Sequence, residues 1–194
     1  MVILGIDPGL TATGYGLIEV GAGRMRFIAA GEIRPARTDL LAERLECIHA
    51  RLSELLQRYQ PEMAVLEKLF THHGHVTTAA LMAHARGMAC LAAQAHGVPL
   101  AEYPPTQVKK SLTGNGHASK QQIARMVGQW LGTQDPAWSA DATDALALAI
   151  VHAHIGQQQG NLPQVRSSEF GVRSSRSPRI PNSAFRILRG QGSE

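Results

Sequence analysis

Apolar residues open the chain in short runs punctuated by glycine, the pattern of a sheet. Val2 to Ile6 is one such run, Thr13 to Val20 follows a Pro/Gly turn, and glycines at 21 and 23 lead into Arg24 to Ile33, so the pattern predicts a three-stranded antiparallel meander. The period then changes. Leu41, Leu45, Ile48, Leu52 and Leu55 recur at helical spacing between Asp39 and Pro61, which predicts one long amphipathic helix. "EMAVLE" at 62–67 is too short and too apolar for anything but an inner strand. From Thr77 to Ala95 the chain is mostly Ala, Leu and Met, a helix contacted on more than one face. "VPLAEY" at 98–103 predicts a fifth strand, and helices are expected over 106–112, 120–131 and 140–155. The order βββαβαβ followed by helices is that of a single α/β domain.

After Gly156 the pattern dissolves into Gln, Ser, Arg, Pro and Gly with scattered apolar residues, which do not repay the entropy of ordering. The expected division is therefore a domain over 1–156 and a basic, disordered tail over 157–194. Charge sharpens that boundary. Residues 1–156 carry 13 Lys and Arg against 13 Asp and Glu, whereas the remainder carries 6 Arg against 2 Glu. The sequence pI of about 9.4 thus belongs to the tail. Within the neutral body, Tyr103 to Gln134 holds Lys109, Lys110, Lys120 and Arg125 with no acid at all, a segregated basic zone of the kind phosphate binding needs. At 194 residues there is room for one domain with a proper core, and no apolar run approaches the length of a bilayer span. No signal-like segment precedes Val2, so a cytoplasmic protein is expected, with Cys47 and Cys90 as reduced, helix-buried thiols.

The chemistry begins where the strands end. Asp7 closes the first strand, immediately before Pro8 and Gly9, and Glu67 closes the fourth. "DATD" sets Asp141 and Asp144 one helical turn apart, on one face. A buried lone carboxylate costs several kcal/mol unless its charge is met, on the order of the desolvation cost of a polar group. Four acids on one edge would raise one another's pKa values unless divalent cations sat among them. An oxygen-only ligand set with room for water and substrate phosphate is the habit of magnesium. Two such ions roughly 3.5–4 Å apart would activate a water and stabilise the leaving oxygen of a phosphodiester displacement. Taken singly, the acids have plainer readings: Asp141 and Asp144 equally suit a helix start after Ser139, and Glu67 an ordinary strand edge.

"GIDPG" with "TGYGLI", then "LEKLF", "QVKKSLTGNGHASKQQ" and "DATDALALAI", in that order, resemble the RuvC family of Holliday junction resolvases, ribonuclease H-like endonucleases, from Val2 to about Gly156. The resemblance implies a mixed five-stranded sheet flanked by helices. It also implies a magnesium-dependent homodimer, with two ions per subunit, that cuts two opposing strands of a four-way DNA junction in recombination and repair. Residue by residue, Asp7, Glu67, Asp141 and Asp144 match the family's catalytic, metal-binding carboxylates; Lys109 and Lys120 match basic DNA-binding residues beside them; and Phe70 matches an aromatic that stacks on an unpaired base. Collaboration with the RuvA and RuvB branch-migration proteins is a further implication. The segment from about Gln157 has no counterpart in that pattern.

Other readings of the same residues stand beside this one. Phe70 lies in "LFTHHGH", a polar loop that suits either base stacking or a ring capping the core. His72, His73 and His75 make a zinc site conceivable, yet no Cys is near, and solvated histidines facing DNA are the simpler expectation. "GNGHASK" at 114–120 lacks the strand and the Lys-Ser/Thr of a phosphate-cradling loop; its glycines are expected to turn the chain and bring Lys120 toward the substrate. Lys109 and Lys120 also fit a solvated helix face. Actin-like ATPases and sugar kinases begin with a similar strand, Asp and Gly, but need two lobes that this length does not supply. A noncatalytic junction-binding protein would lack one of the four acids, and a ribonuclease H acting on RNA–DNA hybrids would share them all.

Overall fold

The computed structural model describes residues 1–21, 23–68, 76–133 and 137–159. In chain order these form β1 (Val2–Asp7), β2 (Thr13–Gly21), β3 (Arg24–Ile33), α1 (Leu41–Tyr59), β4 (Met63–Glu67), α2 (Val76–Ala95), β5 (Leu100–Tyr103), α3 (Pro105–Thr113), α4 (Lys120–Trp130) and α5 (Ala140–Gln159). The strands make one mixed sheet in the order β3-β2-β1-β4-β5. The first three strands pair antiparallel as the meander predicted, and β1–β4 and β4–β5 pair parallel.

Element ends follow local chemistry. At the start of α1 the Glu43 carboxylate accepts the Leu40 N–H at 2.7 Å. At its end Gln60 turns left-handed (φ 44°) and donates to the Leu56 carbonyl, after which Pro61 cannot continue the helix. β5 starts two residues later than its apolar run, at Leu100, because the Val98 N–H is already given to Ala93 in the turn that ends α2 and Pro99 has none to give. Conversely, α5 runs past Gly156 to Gln159, since the glutamines that follow are competent helix formers. The last 35 residues of the expected tail lie outside the described residues.

The sheet buries both faces. Ile3, Ile18, Val65 and Ala101 meet Leu146, Ile150 and the inner residues of α3 and α4. Leu4, Ile6, Leu17 and Leu66 point the other way, onto Ile48, Leu52 and Leu56 of α1 and Ala85, Ala89 and Ala92 of α2. Each large aliphatic side chain buried in this way contributes about 1.5–3 kcal/mol. The helix α5 lies unusually close to the strands. A methyl group built on Gly5 would sit 1.9 Å from the Ala145 carbonyl oxygen, and one on Gly16 would sit 2.6 Å from the Leu146 side chain. Glycine at these two strand positions lets helix backbone rest on strand backbone.

Candidate active site

Parallel pairing of Ile6 with Leu66 makes Asp7 and Glu67 the next residues on adjacent strands, so both carboxylates leave the same edge of the sheet. Beyond Asp7 the chain is folded back hard. Thr13, fully buried, donates its hydroxyl to the Gly9 carbonyl at 2.8 Å and accepts the Gly9 N–H at 3.3 Å. Gly9 is required there because a Cβ would lie 2.4 Å from the Ala12 carbonyl oxygen. This closed loop fixes where β1 stops and keeps bulk away from Asp7.

Helix α5 delivers the other two acids. Phe27 of β3 packs on Trp138 with ring centroids 5.1 Å apart, anchoring the entrance to the helix. Ser139 caps it: its hydroxyl oxygen accepts the Ala142 N–H at 3.3 Å, and its carbonyl accepts the Thr143 hydroxyl at 2.8 Å. A methyl group on Gly14, the β2 partner of Asp7, would meet the Asp141 carbonyl oxygen at 2.0 Å. Asp141 thus sits directly over the strand pair that carries Asp7. Its place in the first turn of α5 also suits the helix dipole, so the plain reading and the functional one coincide.

The charges report the same convergence. Burial pushes the Asp7 carboxyl up to about 7, and Asp144, Glu67 and Asp141 push it in the same direction against the opposing pull of Lys120. Glu67 is raised by burial and then by Asp144, with Lys109 and Lys120 opposing. Asp144 is raised chiefly by its burial; Lys120, 3.5 Å from its Oδ2, opposes that most strongly, and Asp141 and Lys109 act more weakly in opposite senses. Six of the seven expected site residues therefore share one electrostatic field. Between α3 and α4, Gly114 (φ 76°) ends α3, the Asn115 side chain accepts the His117 N–H, and Ser119 caps α4, whose first residue, Lys120, reaches Asp144. Phe70, His72, His73 and His75 lie outside the described residues.

Among the described residues no three carboxylate, thiol or imidazole side chains are gathered closely enough to hold a metal ion as they stand. The four acids are brought to one end of the sheet without closing on one another, and Lys120 stands 3.5 Å from Asp144. The donor set nevertheless fits a hard divalent ion. It is all oxygen, and Asp7, Glu67 and Asp144 are partly buried and raised by neighbouring carboxylates in a way that a cation would relieve. Two contributors had not been singled out from sequence: the close-approach glycines, Gly5, Gly14 and Gly16, and Arg86 of α2, which donates from Nη1 to the Glu67 carbonyl at 2.7 Å. The first had a signal in Gly14 and Gly16, two residues apart on one face of a strand, opposite an alanine-rich helix.

A mixed sheet whose inner parallel strands each end in an acid, faced by a helix bearing two more, defines the ribonuclease H-like class. The structure of the yeast mitochondrial Holliday junction resolvase Ydc2 shares the fold at 12% identity, with a TM-score of 0.60 over 81% of this chain and 80% of that one. The family model for crossover junction endodeoxyribonuclease RuvC matches residues 3–152. Crossover junction endodeoxyribonuclease RuvC of Rhodopirellula baltica is 47% identical over 148 residues, 76% of this chain and 83% of that protein. Thermus thermophilus RuvC in complex with a Holliday junction substrate is 36% identical, with a TM-score of 0.76 over 82% of this chain and 96% of that one. The chain belongs to the RuvC family.

Proposed function

We propose that this chain is a magnesium-dependent endodeoxyribonuclease that resolves four-way DNA junctions by paired nicks, working as a homodimer. One observation carries the reading: Asp7 and Glu67 end adjacent strands at the start of α5, which bears Asp141 over the partner strand of Asp7 and Asp144 3.5 Å from Lys120. Asp7 and Glu67, on adjacent strands, and Asp141 and Asp144, on α5, would hold magnesium ions through their carboxylate oxygens. Bound there, magnesium supplies an activated water and Lewis-acid stabilisation of the leaving oxygen.

The protein's own groups supply the rest. Lys120, mostly exposed and resting against Asp144, is free to swing to a phosphate as the substrate enters. Lys109 adds a second positive charge at the rim, where negative charge grows in the transition state. Burial of Asp7 on the sheet edge keeps its carboxylate oriented, so little reorganisation accompanies reaction. Phe70 is proposed to stack on an unpaired base at the crossover.

The dimer reading draws on α2. Ala85, Ala89 and Ala92 are buried, while Leu81, one turn before Ala85 on the same stripe, and Leu91, on the flank of the helix, stand roughly half exposed. A two-fold contact there would match the approximate two-fold symmetry of a junction. No helix among the described residues is long and apolar enough to cross a membrane. A cytoplasmic enzyme collaborating with RuvA and RuvB is the setting we propose.

The test incubates purified protein with a four-way junction, a linear duplex and an RNA–DNA hybrid, with magnesium or with EDTA, and measures sedimentation alongside. Expected is a dimer that makes symmetric nicks in the junction only, and only with magnesium. Cleavage of the hybrid in preference to the junction would overturn the reading in favour of a ribonuclease H.

A further inference from the structure

The helix α2 carries a single full charge in twenty residues, Arg86, amid Ala, Leu and Met. That side chain is only 14% exposed. A guanidinium in such a place needs partners on most of its donors, and here it finds two on two different strands. Nη1 donates to the backbone carbonyl of Glu67 at 2.7 Å, and Nη2 forms an ion pair with the Glu102 carboxylate. Glu67 is the last residue of β4, and Tyr103, its partner across the β4–β5 ladder, follows Glu102. On the other side the Lys68 N–H is given to the Tyr103 carbonyl at 2.9 Å. The peptide joining Glu67 to Lys68 is therefore gripped at both polar ends: its carbonyl by Arg86, its N–H by β5.

We infer that Arg86 is a positioning residue for the proposed active site, fixing the Glu67–Lys68 peptide and through it the direction in which the Glu67 carboxylate leaves the sheet edge. The planar fork suits this task. One prong reads the Glu67 carbonyl while the other is held by Glu102, so the guanidinium cannot rotate away without losing both contacts. A lysine has one head for two acceptors and cannot hold the same geometry. Glu102 orients Arg86 and does not itself touch Glu67. Arg86 lies midway along α2, so it ties the middle of that helix to the end of β4 as well.

The inference rests on the proposed role of Glu67, and the experiment separates the two. Arg86→Met, Arg86→Lys, Glu102→Gln and Glu67→Gln are compared with the unaltered full chain. The readouts are junction cleavage (kcat and KM), calorimetric titration with calcium alone, and the melting temperature. Arg86→Met should lower kcat by 10- to 100-fold with KM for the junction within twofold, and should weaken calcium binding several-fold. Arg86→Lys should keep the fold and show a 3- to 10-fold loss in kcat with the same weakening of calcium binding; it decides the matter alone if the methionine variant does not fold. Glu102→Gln should stay within threefold of the unaltered chain, because the bond to the Glu67 carbonyl remains. Wild-type kcat and calcium binding in both Arg86 variants, with Glu67→Gln inactive, would overturn the positioning role and leave the active site standing. A Glu67→Gln variant that cuts normally would overturn the role assigned to Glu67, and the inference with it.

Discussion

The two faces of the sheet are held by different physics. On one, α5 rests its backbone on β1 and β2 through Gly5, Gly14 and Gly16, at distances that leave no room for a methyl group. On the other, α1 and α2 stand off on conventional side chains, Leu52, Leu56 and a run of alanines, and an open groove of about 570 Å³ remains between α1 and β3, lined by Tyr15, Glu32, Arg34, Cys47, Arg51 and Leu55. Flexible side chains can shift to absorb a change, whereas two backbones in contact cannot. The face that carries Asp141 and Asp144 is the rigid one. Placement of acids to within a fraction of an ångström calls for a backbone seat, and the opposite face has no such duty.

The sharpest way to break the comparison is to remove charge from the rigid edge without altering shape. Asp7→Asn and Asp141→Asn should each reduce junction cleavage by at least about 1,000-fold, the scale of several kcal/mol of metal-assisted barrier lowering. Junction binding should persist or tighten, since a negative charge facing DNA has gone. Single-turnover cleavage alongside a gel-shift titration checks this, and near-normal cutting by either variant removes those acids from the mechanism.

The next test adds one carbon. Gly5→Ala puts a methyl group against the Ala145 carbonyl and should cost about 1–3 kcal/mol or more of stability. Gly14→Ala meets the Asp141 carbonyl, so it should cost cleavage as well: a shift of about 1 Å at a reacting group is worth up to roughly 100-fold. On the other face Leu55→Ala, at the half-open groove, should cost about 1 kcal/mol and leave kcat alone. Denaturant melts and kcat for the three variants decide it. Equal loss of activity from Leu55→Ala and Gly14→Ala would mean that the faces do not differ in kind.

Much of this architecture was legible in the chain. The meander, the long helix and the inner strand follow from apolar spacing, and Asp7 and Glu67 stand out because each ends an apolar strand with a charge. Asp141 and Asp144 fall in the helix expected over 140–155, and Lys120, the first residue of the helix expected from 120, reaches Asp144. The missing parts depend on pairings that are distant in sequence. Gly14 reads as a turn or a weak strand position until Asp141, 127 residues later, is known to cross it. Arg86 is visible as a lone charge in an apolar helix, but its two acceptors lie on separate strands and one of them is a backbone carbonyl, which carries no side-chain signature. Local patterns thus specify elements and charges, whereas the contacts that orient those charges exist only after the chain has closed.

The smallest effect separates the faces by pH. The α5 side buries histidine: His152 is inaccessible to solvent, shares a 2.8 Å hydrogen bond between its Nδ1 and the Tyr103 hydroxyl, and has no partner for Nε2 among the described residues. Burial holds its pKa below the ordinary 6.5, and that of His154, packed against Trp130 at 4.2 Å, is lowered for the same reason. For a base with a depressed folded-state pKa, the unfolded chain takes up the proton first. Its contribution is therefore fully present above pH 6.5, declines as pH falls through that value, and levels off below the folded-state pKa. The histidines should accordingly contribute a drop in melting temperature between pH 7 and pH 5. It is set against the raised carboxyls of Asp7, Glu67 and Asp144, which bind protons first in the folded state and act in the opposite sense, so that the drop is read as the difference between variant and unaltered protein. Replacing His152 and Tyr103 together, by Leu and Phe, removes the buried base without orphaning the phenol, and should make the drop shallower, with the remainder carried by His154. An undiminished drop in the His152/Tyr103 double variant would place the acid sensitivity elsewhere than the α5 face.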